Sequence, residues 1–190
     1  MTKAQTTHAL RLIDDELRAV TGALTAERSH EIDRLVEVLS IAKRIFVTGQ
    51  GRSGLALRMT GMRLMHLGLT VHIVGDTTTP AIRADDVLLA ASGSGTTGGV
   101  VRAARGAVAS GATVVAITTD PDSPLAGLSA ASIIVPAAGK LDRSGAASAQ
   151  YAGSLFEQAV VVIGDAIFHS LWVRSGATAD ELWPRHANLE

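Results

Sequence analysis

The chain has no cysteine, only six aromatic residues in 190, charged residues at 18% and no long hydrophobic run. Each shortage excludes something. Without cysteine there are no disulfides, no thiolate catalysis and no Cys-ligated zinc. Scattered aromatics give no platform on which nucleobases could stack. The 17 Lys+Arg against 18 Asp+Glu leave a net charge of -1, too little for an electrostatic footprint on nucleic acid. The strongly apolar run Ala159–Ile163 ends at Gly164 and Asp165, far short of the roughly 20 residues of a membrane helix. Residues 1–8 lack the apolar segment of a signal peptide. No nucleic-acid partner, no membrane and a cytoplasmic location are therefore expected.

What is present is one domain's worth of apolar residues, 47% of the chain. A chain of this length buries roughly 70% of its unfolded surface and needs no staple. High apolar content with little charge also predicts self-association.

The spacing of Leu10, Ile13, Leu17, Val20 and Leu24 predicts a helix over 8–24. Ile32, Leu35, Val36, Leu39 and Ile41 predict a second over 31–42, with Ser29 as its N-cap. Five short β-rich runs follow: Arg44–Thr48, Thr70–Val74, Val87–Ala91, Thr113–Thr118 and Ser132–Val135. They are almost continuously apolar, as parallel strands covered on both faces are. Most are separated by enough residues for a crossover helix. The shorter stretch between Val74 and Val87, with Thr77-Thr78-Thr79-Pro80, reads as a loop. A helix over about 154–174 closes the core, and the stretch from Gly139 to Gly153 reads as a mobile loop. The expectation is one three-layer α/β domain: helices over 1–42, a core over 43–175 with a five-stranded parallel sheet, and a tail over 176–190.

Two Gly/Ser-rich loops follow strands one and three: Gly49-Gln50-Gly51-Arg52-Ser53-Gly54 and Ser92-Gly93-Ser94-Gly95-Thr96-Thr97-Gly98. Each precedes a helix, whose first N–H groups are unpaired and attract an anion. In the order 2-1-3-4-5 these strands are neighbours across the switch point, so both loops flank one crevice. The first loop also fits G-x-G-x-x-G, with Asp76 beyond it as a dinucleotide site requires. Gly75 and the Thr77–Pro80 run count against that reading, as does a second hydroxyl-rich loop that a dinucleotide does not need. A phosphomonoester uses both loops.

The segments Gly51-Arg52-Ser53-Gly54, Met62-Arg63-Leu64-Met65-His66-Leu67-Gly68 and Ser92-Gly93-Ser94-Gly95 resemble the sugar isomerase (SIS) family. Further matches are Gly75–Ile82, Gly153-Ser154-Leu155-Phe156-Glu157-Gln158 and the closing Arg185–Glu190. They point to the members that interconvert D-arabino-hex-3-ulose 6-phosphate and D-fructose 6-phosphate. The resemblance implies the ribulose monophosphate route of formaldehyde fixation, a flavodoxin-like sheet, a homotetramer, and no metal or organic cofactor. It departs at Thr96-Thr97, where many relatives carry a charged residue.

Such a reaction removes a proton at C2, passes through an enediol, and returns a proton to C3. It needs a base, a group facing the oxygens and a phosphate anchor. The resemblance implies Glu157 as the base. Spacing alone reads Ser154-Leu155-Phe156-Glu157 as a capping box, with Glu157 bonding back to Ser154. Ser53, Ser92, Ser94 and Thr97 are candidate phosphate ligands, with Gly51, Gly93 and Gly95 allowing close backbone approach; each hydroxyl also suits a helix cap. Arg52 either faces the enediolate or is a solvated surface residue. No histidine pair has metal-ligand spacing. His8 and His30 read as exposed, and His72 and His169 as structural. His66 ends the first crossover helix, where a cation suits the negative helix end. His186 lies in a tail that reaches a neighbouring subunit or merely packs, so it is an acid/base candidate in trans. Two other functions fit the residues: an NAD-dependent oxidoreductase, and a non-catalytic sugar-phosphate-binding module.

Overall fold

The computed structural model describes residues 3–138 and 148–189. Two helices lead the chain, α1 (Lys3–Glu27) and α2 (Ser29–Ser40). Their apolar positions repeat at helical spacing, so each turns one stripe inward, with Val20, Leu24, Leu35, Val36 and Leu39 buried. Ser29 does not cap α2. It lies inside the helix, and Arg28 holds the N-cap position without a side-chain hydrogen bond. Arg28 instead pairs with Glu31 at 2.8 Å. The other Glu31 oxygen accepts the Ile134 N–H at 2.8 Å, tying α2 to the edge of the sheet.

The sheet comprises β1 (Ile45–Gly49), β2 (Val71–Ile73), β3 (Val87–Ala91), β4 (Thr113–Thr118) and β5 (Ala131–Ile134), all parallel, in the order 2-1-3-4-5. Alternate side chains feed two cores. Ile45, Val47, Leu89 and Ile117 pack under α3 (Gly51–His66) and α6 (Ser154–Ser175). Phe46, Leu88, Ala90 and Ala116 pack under α4 (Gly98–Ala109). Both faces are covered, which is why the strands read as unbroken apolar runs.

Helix α6 runs 22 residues, and its length and composition would suit a membrane span, contrary to the short apolar run read from the sequence. Here it packs as a core helix, with Leu155, Phe156, Ala159, Val160, Ile163 and Ile167 buried. A short helix not foreseen in the sequence, α5 (Pro124–Gly127), is capped by Ser123. Beyond α6 the chain forms α7 (Ala179–Leu182), with a Thr178–Glu181 capping box, and a 3₁₀ turn over Trp183–Arg185. Of the loop read as mobile, 139–147 lie outside the described residues, whereas 148–153 are held by hydrogen bonds described below.

Candidate active site

At the carboxyl ends of β1 and β3, where the strand order reverses, lies a cavity of about 440 Å³. Its position is the one that open α/β sheets offer ligands, and its size is ordinary for a small-molecule site. Both glycine-rich loops line it, together with the start of α6. The sequence-derived residues brought together here are Gly51, Arg52, Ser53, Ser92, Gly93, Ser94, Thr97 and Glu157.

Each loop takes its shape from specific contacts. Gly54 presses α3 onto the end of β1: a Cβ there would lie 2.4 Å from the Gly49 carbonyl oxygen. Gly95 does not line the cavity, correcting its assignment to backbone approach. It has a φ of +61°, and a Cβ on it would meet the Ser123 Oγ at 2.0 Å, so its role is to let the loop pass.

The second loop is tied back to β4. The Gly93 carbonyl accepts from the Thr119 N–H at 2.9 Å, the Thr119 hydroxyl at 2.8 Å and the Thr118 hydroxyl at 3.1 Å. Its oxygen is thereby turned away from the cavity. The N–H groups of Gly93, Ser94 and Thr97 donate to no described residue. The first N–H groups of α3 and α4 have no intrahelical partner either. Ser92 and Thr97 share a hydroxyl contact at 2.9 Å, as do Ser94 and Thr96. Two helix N-termini and several hydroxyls therefore converge on one space, a chemistry suited to a dianionic phosphate.

Arg52 is the one cation and Glu157 the one carboxylate among the described residues lining the cavity. They form an ion pair at 3.0 Å, and Arg52 also donates to the Ser154 hydroxyl at 3.2 Å. The capping box expected from spacing is not formed. Gly153 is the N-cap, so Ser154 is one residue inside the helix and its hydroxyl donates to the Tyr151 carbonyl at 2.8 Å. That one-residue offset leaves the Glu157 side chain free to face the cavity.

Gln50, Tyr151, Ala152 and Phe156 also line the space, though the residue types carried no signal for it. Gln50 reaches across to α4, where a Cβ on Gly99 would come within 2.1 Å of its Nε2. Tyr151 stands at the mouth, 91% exposed. Ala152 has a φ of +51°, a strained conformation for a residue with a side chain.

His66 and His186 are not brought to this cavity within the protomer. They stack on each other with ring centroids 4.1 Å apart, beside Trp183. The pair sits at the far end of α3, roughly 20 Å from the first loop by the rise of a 16-residue helix. Arg185 fixes the tail there by donating to the His66 carbonyl at 3.2 Å. His66 is not the helix-end cation expected. Burial, then the charges of His186 and Arg63, hold its pKa below the usual histidine value, and its Nδ1 is buried without a partner among the described residues. His72 packs on Phe46, with ring centroids 5.1 Å apart, as expected. His8 and His30 are exposed. His169 is exposed too and meets Trp172 edge-on, its ring centroid 6.0 Å away.

A pH dependence follows. Unfolding returns His66 to its ordinary value near 6.5, so below that pH the unfolded chain binds more protons. The stability linked to neutral His66 is in place above about pH 6.5 and is lost as pH falls through the folded value. The melting temperature is expected to drop between pH 7.5 and 5.5. His66→Phe, which keeps a ring against His186 but cannot titrate, should flatten that drop. An identical slope in the variant would assign the effect elsewhere.

The chain belongs to the SIS domain family, whose model matches residues 38–162. Within that family it is similar to the 3-hexulose-6-phosphate isomerase of Mycobacterium gastri, 54% identical over 184 residues, covering 97% of this chain and 91% of that one. It is 33% identical to the 3-hexulose-6-phosphate isomerase of Bacillus subtilis (strain 168) over 187 residues, covering 98% of this chain and all of that one. A crystal structure of a Methanococcus jannaschii protein, with an inferred function of 3-hexulose-6-phosphate isomerase, superposes with a TM-score of 0.81 at 28% identity, covering 96% of this chain and 99% of that one.

Proposed function

We propose that this protein interconverts D-arabino-hex-3-ulose 6-phosphate and D-fructose 6-phosphate in the cytoplasm, as a step of the ribulose monophosphate route. The observation that carries the reading is the placement of one carboxylate, Glu157, on the same cavity as two anion-attracting helix starts. The names of the relatives at 54% and 33% identity agree with it. The phosphate sits between the α3 and α4 starts, held by N–H groups and by Ser53, Ser92, Ser94 and Thr97. Its binding energy positions the reacting carbons C2 and C3, which lie toward the other end of the sugar chain. Glu157 takes the proton from C2, the electron pair forms the C2–C3 double bond and the C3 carbonyl pair moves onto O3; a proton then passes from O2 to O3, O2 becomes the carbonyl oxygen, and the C2–C3 pair takes the Glu157 proton at C3. Arg52 faces the negative charge that develops on the oxygens.

The dinucleotide reading loses its ribose ligand. Asp76 lies outside the cavity and pairs with Arg58 at 2.9 Å.

The 3-ketose has no free hydroxyl that closes an unstrained ring, because O6 carries the phosphate, so it enters open-chain. Fructose 6-phosphate closes through O5 and requires ring opening. We assign that task to His66 and His186 of a neighbouring copy in a homotetramer. Support comes from α3 itself: Leu55, Met59, Met62 and Met65 leave an apolar stripe exposed along the helix that carries His66. A second copy covering that stripe brings a histidine pair toward other cavities.

Incubation with fructose 6-phosphate in deuterated water tests the central claim. Solvent deuterium should enter the sugar at C3 of fructose 6-phosphate, and at C2 of the 3-hexulose. Tight binding of the sugar phosphate without any incorporation would instead make the protein a binding module.

A further inference from the structure

One element outside the matched SIS region reaches the site. Helix α1 precedes residue 38, where that match begins. Its Glu16 accepts three hydrogen bonds from the segment leading into the cavity wall: from the Ser148 hydroxyl at 2.7 Å, the Ala149 N–H at 2.7 Å and the Gln150 side-chain amide at 3.0 Å. Gln150 in turn exchanges two amide hydrogen bonds with Gln158, at 2.8 and 3.2 Å. The chain of contacts is continuous. Gln150 is followed by Tyr151, Ala152 and Gly153, which line the cavity, and Gln158 adjoins Glu157.

Three donors converge on two oxygens. Only a carboxylate accepts them all, because an amide presents a donor in place of one oxygen. Burial works to raise the Glu16 pKa, but the bonds from Ser148, Ala149 and Gln150 outweigh it and leave the group below its ordinary value, hence charged at neutral pH. Ser148 is itself buried, so a lost acceptor leaves its hydroxyl without solvent to replace it. The strained φ of Ala152, two residues beyond Gln150, persists only where its surroundings over-determine it.

We infer that Glu16 is a positioning residue for catalysis: from α1 it sets the path of residues 148–150 and so the placement of the Tyr151–Gly153 wall against the bound sugar. The phosphate cradle, built on β1, β3 and β4, does not depend on it. Loss of Glu16 therefore displaces the sugar end of the substrate while leaving the anchor in place. This rests on the isomerase reading above.

The test uses the full-length protein and Glu16→Gln, with Glu16→Ala as the stronger variant. Glu16→Gln keeps the length and one accepting oxygen, so it preserves the helix face. KM for fructose 6-phosphate is expected to rise about tenfold, with kcat within a few-fold of the parent, while inhibition by inorganic phosphate is unchanged. A merely structural role would lower the melting temperature and the active fraction without moving KM. Amide hydrogen exchange supplies a readout independent of activity. Ala149 to Gly153 should exchange at least tenfold faster in Glu16→Gln, with β1 and β3 unaffected. If KM and the exchange of 149–153 both stay at parental values, the inference is overturned. If the parent protein shows no isomerisation, the exchange result alone decides the role of Glu16, and the functional reading fails separately.

Discussion

Glu157→Gln is expected to reduce kcat by about 10²–10⁴-fold with little change in KM, the range that a positioned general base contributes. Glutamine keeps the shape and one oxygen facing Arg52, so the cavity remains but no group can take the C2 proton. Stability should barely move. The Arg52 side chain is 62% exposed, so its ion pair with Glu157 is screened and worth at most about 1 kcal/mol. A cap role predicts the reverse, near-normal turnover, because glutamine still makes the capping bond. The geometry already disfavours it, since Gly153 holds the N-cap position. Turnover within threefold of the parent would refute the base assignment. The same variant tests the origin of the histidines. Coexpressed with His66→Ala protein and assayed from fructose 6-phosphate, it should regain activity, up to about a quarter of parental sites, because a shared cavity can assemble one intact set from two defective copies. Absence of recovery would remove His66 from any neighbouring site.

Gly54→Ala is expected to destabilise the fold by about 3 kcal/mol or more, the upper part of the range for overpacking. The added Cβ would meet the Gly49 oxygen at 2.4 Å and the Gly49 carbonyl carbon at 2.7 Å. Both are backbone atoms of β1, so no side-chain rotation relieves the contact. Helix α3 must slide from the sheet, carrying Arg52 and Ser53 with it. KM should therefore rise along with the loss of stability. Gly106→Ala supplies the control: nothing lies within 4 Å of its Cβ position, and alanine favours a helix interior. A denaturant midpoint unchanged in Gly54→Ala would show that the first turn of α3 can shift freely.

Local chemistry explains which features were legible in the sequence. The strands stood out because each is covered on both faces, and the two glycine loops because close approach and exposed N–H groups demand particular residues at adjacent positions. Their meeting in one cavity followed from strand order. Contacts spanning long sequence separations left no such trace. Thr118 and Thr119 reach back to Gly93 across 25 and 26 residues, and Glu16 reaches Ser148 across 132. Nothing in the spacing distinguishes these from other hydroxyls or from any solvated helix carboxylate. The capping box failed for a subtler reason. The pattern was present, but the helix begins one residue earlier than the pattern requires, a choice made by the Tyr151 carbonyl capturing the Ser154 hydroxyl.

The three hydrogen bonds on the Gly93 carbonyl bear on how such a site changes over time. They fasten the loop to the end of β4, so its shape is set by the sheet and not by the opposite wall. On the proposed reading, in which this loop holds the phosphate, the anchor can stay constant while the opposite wall drifts. Substitutions at Tyr151 and Ala152 can then alter which sugar is accepted without touching the anchor. New substrate preferences are accessible by small steps, each leaving a protein that still grips a phosphorylated sugar.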